Sequence, residues 1–178
     1  FALDNFVREE MRRQAEEKVR QERDFSAALI NSLPGVVYFY DYSGRFLRWN
    51  DNFERVTGYT SAELASMHPL DFFVGTEKDL VASRIENVFE RGEANIEAHF
   101  LSKDGRLTPY YFTGVQTQFD GKDCLVGVGM DMSERKRAER ALREAHEELE
   151  LKVAQRTEEL REAVERARLL DAQRGTAA

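Results

Sequence analysis

Two Asp-Gly pairs, Asp104-Gly105 and Asp120-Gly121, separate three runs rich in β-branched and aromatic residues, and they constrain the fold more than any other feature. Asp-Gly accepts the left-handed backbone of a tight hairpin turn, so each pair returns the chain along its own path. The flanking runs, Ala94–Leu101, Leu107–Gln118 and Cys124–Met130, read as three antiparallel strands. Upstream, Val36–Tyr40 and Arg45–Trp49 flank the turn Ser43-Gly44 and read as another hairpin.

Between these groups the period becomes helical. Asn50 or Asp51 can cap a short helix over Asn52–Thr57, and Gly58 can end it in the left-handed conformation. Thr60 and Glu63 have the spacing of a capping box. Residues 68–75 read as a turn or short helix, and Thr76 and Asp79 are spaced like another cap. Val81, Ile85, Val88 and Phe89 mark one face of a helix over 77–91, which Gly92 stops. Two strands, a patch of short helices and three strands predict an α+β domain: a five-stranded antiparallel sheet with short helices on one face.

The two ends differ from this middle. Residues 8–24 and 134–168 are dense in Glu, Arg and Lys. Residues 3–32 contain no Gly or Pro and read as an N-terminal helix with apolar stripes at Leu3, Phe6, Val7, Met11 and at Phe25, Ala28, Leu29, Ile30. Leu33-Pro34-Gly35 ends it. After Asp131 the chain reads as helix to about Leu170. Its seam runs Ala138, Leu142, Ala145, Leu149, Val153, Arg156, Leu160, Ala163, Ala167, Leu170, in steps of 3 and 4. Alternating steps make a heptad repeat that wants a partner helix, here through Leu142, Leu149, Val153 and Leu160. The repeated step of 4 around Leu149–Val153 is a stutter that locally unwinds the supercoil. The expected organisation is an N-terminal helix at 1–32, a globular domain at 33–131, a dimeric coiled coil at 132–172 and a disordered tail at 173–178.

The net charge of −7 is spread as mixed signs, which suits solvated helix faces and argues against a nucleic-acid partner. Cys124 is the single cysteine, so no internal disulfide forms, which fits a reducing, cytoplasmic compartment. No apolar run reaches the ~18 residues of a membrane span, and no signal peptide is present. Phe1 begins with helical character, so the chain reads as a piece of a longer protein, whose parent remains free to carry a membrane anchor.

Four stretches occur in order: LPGVVYFYDYSGRFLRWNDNFERVTGYTSAEL, MHPLDFF, EAHFLSKDGR and GVGMDMSERKRAE. Together they resemble the PAS sensor domain (PAS/PAC, S-box) of bacterial sensor histidine kinases and diguanylate cyclases, over roughly residues 25–140. LELKVAQRTEEL resembles the coiled-coil linker that follows such domains in sensor kinases. The resemblance implies a PAS-like sheet whose concave face, with the helices, encloses a small-molecule cavity. It also implies a regulatory input domain without catalysis of its own. As a homodimer it would pass its signal through the coil to a covalently linked effector, a histidine kinase first and a diguanylate cyclase second. The competing expectation is a ligand-free dimerisation or protein-interaction module.

Strand alternation puts Leu125, Gly127 and Gly129 on one face and Val126, Val128 and Met130 on the other. Both sets are apolar or small, so both faces are expected to be covered, the outer one by Phe25, Leu29 and Ile30. Two glycines leave space, and by resemblance Gly127 and Gly129 look onto the cavity. The same alternation turns Tyr38, Tyr40, Ile96, Phe100, Tyr110 and Phe112 inward, although a one-residue slip over 106–114 would exchange Tyr110 for Tyr111. Phe53, Val56, Phe72, Val81, Ile85 and Phe89 close the cavity from the helices. Each residue alone also fits an ordinary packed core. The glycines and the inward tyrosines, whose hydroxyls need partners, favour a ligand pocket.

The cofactor remains unknown. Flavin-binding relatives use a cysteine in an N-C-R-F-L-Q stretch, and MHPLDFF places His68 near that position. Haem-binding relatives use a histidine on the long cavity helix, and residues 77–91 contain none. Cys124 reads as an inert buried thiol, His68 as a structural loop residue, His99 as exposed, and His146 lacks the surroundings of a phospho-acceptor. No metal-ligand spacing or nucleophile–base set is visible. Asp131-Met132-Ser133 matches the D-[IV]-T signature that ends these domains and is the expected signal junction, Asp131 bonding the first N–H groups of the helix.

Overall fold

At the last hairpin, Asp120 and Gly121 both take positive φ (49° and 70°), and Phe119 pairs with Lys122 directly across them. This is the two-residue turn whose twist matches that of the strands it joins. The structure is a computed structural model describing the backbone of residues 2–175 and the side chains of residues 7–169. Between α1 (Ala2–Ser32) and α5 (Ser133–Gly175) run β1 (Val36–Asp41), β2 (Phe46–Trp49), α2 (Asp51–Thr57), α3 (Ser61–Leu64), a 3₁₀ turn (Pro69–Phe72), α4 (Thr76–Arg91), β3 (Glu93–Leu101), β4 (Leu107–Phe119) and β5 (Lys122–Asp131). The strands form one five-stranded antiparallel sheet in the order β2-β1-β5-β4-β3, so the fold is α+β, with the five antiparallel strands expected. The chain divides into two compact units, Phe1–Ser133 and Glu134–Ala178.

Local chemistry explains the short helices. Asn50 caps α2 and Gly58 ends it at φ 74°. Thr60 and Glu63 form a capping box on α3. His68 caps the 3₁₀ turn, its Nδ1 accepting from the Leu70 N–H at 3.2 Å. The expected Thr76–Asp79 cap does not form: Gly75 occupies the cap position at φ 59°, and no side chain bonds the first turn of α4.

Asn50 is fully buried and joins three elements. Its Oδ1 accepts from the Val37 N–H at 2.9 Å and the Phe53 N–H at 3.2 Å. Its Nδ2 donates to the Gly35 carbonyl at 2.9 Å, just before β1. Asn31, at the end of α1, exchanges two hydrogen bonds with Asp51 beside it. Above this joint lies an aromatic core, in which the rings of Phe53, Phe72 and Phe100 sit 5.2–5.8 Å apart.

The outer face of the sheet departs from expectation. Val126 and Met130 are 39% and 50% exposed, and Phe25 and Leu29 of α1 are 66% and 52% exposed. The last turn of α1 is anchored through Asn31 and does not spread its apolar stripe over the strands. Register settles the open choice in β4: Tyr110 is buried and Tyr111 only half-buried. At the sheet edge, Glu77 of α4 reaches β3, its carboxylate accepting from the His99 backbone N–H at 2.9 Å and meeting the His99 ring at 2.8 Å. In α5 the helix continues to Gly175, so the tail expected at 173–178 begins as helix, and residues 176–178 lie outside the described residues. The side chains of Leu3, Phe6 and Leu170 also lie outside them.

Replacing Asn50 with Ala strands two buried N–H groups and a carbonyl. The expected loss is about 3 kcal/mol, the penalty of a multiply bonded buried amide. Urea denaturation measures it, and an unchanged midpoint would remove Asn50 from its central place.

Candidate functional site

Four residues pair in one row across the concave face: Tyr38 with Gly127, Gly127 with Gly114, and Gly114 with Ala94. Three neighbouring strands thus carry no side chain larger than methyl along that row, and something must fill the trough. Tyr38 fills one end. A Cβ on Gly127 would lie 2.4 Å from the Tyr38 ring and 2.2 Å from the Thr113 carbonyl. The Tyr38 hydroxyl donates to that same carbonyl at 2.7 Å. Gly129 is covered likewise, by Phe112 and Val36, each 2.7 Å from where its Cβ would stand.

The other end of the trough, at Gly114 and Ala94, faces α4 across a cavity of about 60 Å³. Of the residues expected there, the structure brings together Tyr38, Tyr40, Phe53, Phe72, Val81, Ile85, Ile96, Phe100, Phe112 and Leu125. Five others stand elsewhere. Gly127 and Gly129 lie on the concave face, but the space they leave is taken by rings. Val56 and Tyr110 line a separate polar cleft with Arg55, Lys103 and Asp131. Phe89 turns aside to pack edge-on against Tyr42 at 4.8 Å.

Phe46, Pro69, Phe73, Arg84, Val88, Ala94 and Gly114 also line the cavity and were not anticipated. Gly114 was legible in principle, since counting back from the Asp120-Gly121 turn pairs it with Gly127. Arg84 was not, because it lies one turn from Val81 and Val88 and reads as a solvated charge.

The tyrosines differ in their partners. Tyr38 is satisfied by Thr113, whereas none of the described residues hydrogen-bonds the hydroxyl of Tyr40, which is 4% exposed. No polar side-chain atom among the described residues is sealed away without a partner. The Tyr40 hydroxyl is therefore not sealed off, and Tyr40 stands in the cavity wall. Burial raises the pKa values of Tyr38 and Tyr40 well above the ordinary value, with the neighbouring Tyr38 adding to the effect on Tyr40. Burial, then the charge of Asp131, pushes Tyr110 up to about 12.

At the junction, the Asp131 carboxylate accepts from the Ser133 N–H at 2.7 Å, and the Met132 N–H donates to the Pro109 carbonyl at 2.8 Å. Both bonds hold the end of β5 and Ser133, the first residue of α5. Along α5, Leu142, Leu149, Val153 and Leu160 are 57–73% exposed. Cys124 is fully buried, and burial raises its thiol pKa. His146 meets Glu150 one turn on at 3.3 Å. No cluster of three or more His, Cys, Asp or Glu suited to a metal occurs among the described residues, and no helix among them is long and apolar enough to cross a membrane.

Two tests follow from this geometry. Gly127→Ala drives a methyl into Tyr38 and a backbone carbonyl and should cost about 2–4 kcal/mol, whereas Gly114→Ala, with neighbours at 3.2–3.3 Å, should cost less. Equal denaturation midpoints would contradict the filled trough. Tyr38, Tyr40 and Tyr110 hold their protons more tightly folded than unfolded. Above about pH 10 the unfolded chain releases these protons first, so stability should fall with rising pH. The slope should approach ~1.4 kcal/mol per pH unit for each tyrosine, read from urea midpoints between pH 9 and 11.

Comparison with known proteins agrees with this architecture. A family model described as PAS domain matches residues 35–134. The sensor histidine kinase TmoS of Ectopseudomonas mendocina is 27% identical over 132 residues, which is 72% of this chain and 14% of that protein. The chain therefore spans a small part of the curated relative. The PAS domain of an HTR-like protein from Haloarcula marismortui superposes with a TM-score of 0.60 at 16% identity, covering 67% of this chain and 98% of its own. A PAS domain from a two-component sensor histidine kinase gives 0.56 at 19%, covering 64% and 98%. At such identities the structural likeness speaks for the fold alone, but the sequence match over residues 35–134 goes further: this chain belongs to the PAS domain family.

Proposed function

We propose that the chain is the sensory input of a longer signalling protein, binding a small molecule between α4 and the sheet and relaying its presence through α5. The chain is a PAS signalling domain related to a sensor histidine kinase, and that kinship supports the reading of a regulatory input without catalysis of its own. The observation carrying the finer reading is the cavity at Gly114 and Ala94, with the Tyr40 hydroxyl unpartnered in its wall. A buried hydroxyl of that kind is stabilised by a partner from inside. Bound and empty states would differ in how α4 and β4 pack, and β4 is tied to the start of α5 through Pro109 and Met132.

In this reading residues 33–131 sense, Asp131, Met132 and Ser133 form the joint, and 132–172 pair with a second copy as a coiled coil. The linked effector is a histidine kinase, or a diguanylate cyclase as second choice, on the cytoplasmic side. A ligand-free interaction module is the competing reading. The exposed outer-face residues Val115, Phe119, Val126 and Met130 favour it.

Thermal denaturation against a metabolite set tests the two. A binding compound should raise the melting temperature, and Ala94→Leu, which fills the cavity, should abolish that rise in a folded protein. Light scattering should give the mass of two chains, falling to one in Leu142→Asp. No stabilising compound, together with an unchanged mass in the variant, would overturn the proposal.

A further inference from the structure

The chemical class of the ligand follows from the cavity wall, on the reading that the cavity holds a small molecule. A cavity of about 60 Å³ holds about four water molecules at ~15 Å³ each, or roughly 120 Å³ of liquid. One six-membered ring or a short branched chain fills that space. The wall is aromatic and aliphatic, as at Phe53, Phe112, Ile85 and Leu125, and takes an apolar body. A polar body would lose hydration without replacement.

Three side chains in the wall carry polar groups that no described residue uses. One is the buried hydroxyl of Tyr40, and another is the exposed amide of Asn95. The only charged one is Arg84, which is exposed and makes no ion pair or hydrogen bond among the described residues. The other arginine of α4, Arg91, lies outside the cavity wall. A guanidinium beside an apolar cavity recruits an anion, and its planar fork matches a carboxylate. We propose that the cavity takes a compact carboxylic acid. Its ring or branched body sits inside, its carboxylate lies on Arg84, and Tyr40 recognises a hydrogen-bonding group at the buried end.

Calorimetric titration of the full chain with benzoate, 4-hydroxybenzoate and neutral benzamide tests this. Benzoate should bind about tenfold more tightly than benzamide, the scale of one charge-assisted contact near solvent. Arg84→Gln should remove that difference, and added salt should weaken the acids alone. 4-Hydroxybenzoate should exceed benzoate severalfold, and Tyr40→Phe should erase this second gap. Melting curves confirm that each variant is folded. Benzamide binding as tightly as benzoate, or Arg84→Gln leaving the acids unchanged, overturns the acid while the sensory reading stands. Failure of all three probes also overturns it, and the sensory reading falls as well only if the wider metabolite set produces no stabilisation and the Leu142→Asp variant keeps its mass.

Discussion

The amide of Asn50 is the constraint on which the rest of the globular unit depends. One side chain closes the cap of α2, fixes the start of β1 and holds the carbonyl of Gly35. A buried amide of this kind tolerates little error, because every donor or acceptor it leaves unmatched is paid for in desolvation. Phe53, three residues on, is thereby aimed into the aromatic core, and the position of that core sets how far the short helices stand from the sheet. The hollow by α4 follows from this spacing and from the small residues beneath it.

Those small residues play two parts that look identical along the chain. Gly127 and Gly129 admit the rings of Tyr38 and Phe112 against the backbone, while Gly114, with Val88 and Leu125 3.2–3.3 Å from where its Cβ would stand, and Ala94 form part of the cavity wall. Glycine marks a close approach but does not name what approaches. Tyr38 shows the distinction best. Its ring and hydroxyl together bridge three strands, from β1 over β5 to the Thr113 carbonyl of β4, and so bind the sheet across the row where it is thinnest.

Much of the architecture was legible because it rests on local signals. Asp120-Gly121 dictates a hairpin, Gly58 and Gly92 stop helices, and Thr60 with Glu63 builds a box, all within a few residues. The inward sets of β1 and β3 followed from alternation. What was not legible depended on distance. The course of α1 is not legible in the sequence: Phe25 and Leu29 look like a buried stripe, yet nothing local records that Asn31 anchors the helix end instead. Arg84 went unnoticed because helical periodicity assigns it to solvent, and only the fold reveals which charged position overlooks the hollow. Val56 and Phe89 share the helical faces of wall residues, yet Val56 lines the polar cleft and Phe89 packs against Tyr42.

The contact between Glu77 and His99 has a further consequence. β3 ends the sheet, and its outward backbone groups could template an additional strand from another chain. Glu77 occupies the outward N–H of His99 and places a carboxylate along that border. Because Glu77 stands in the first turn of α4, the helix that walls the hollow also guards the border. Any rearrangement that draws α4 away would uncover backbone donors to neighbouring molecules, so freedom of this helix to move trades against resistance to self-association.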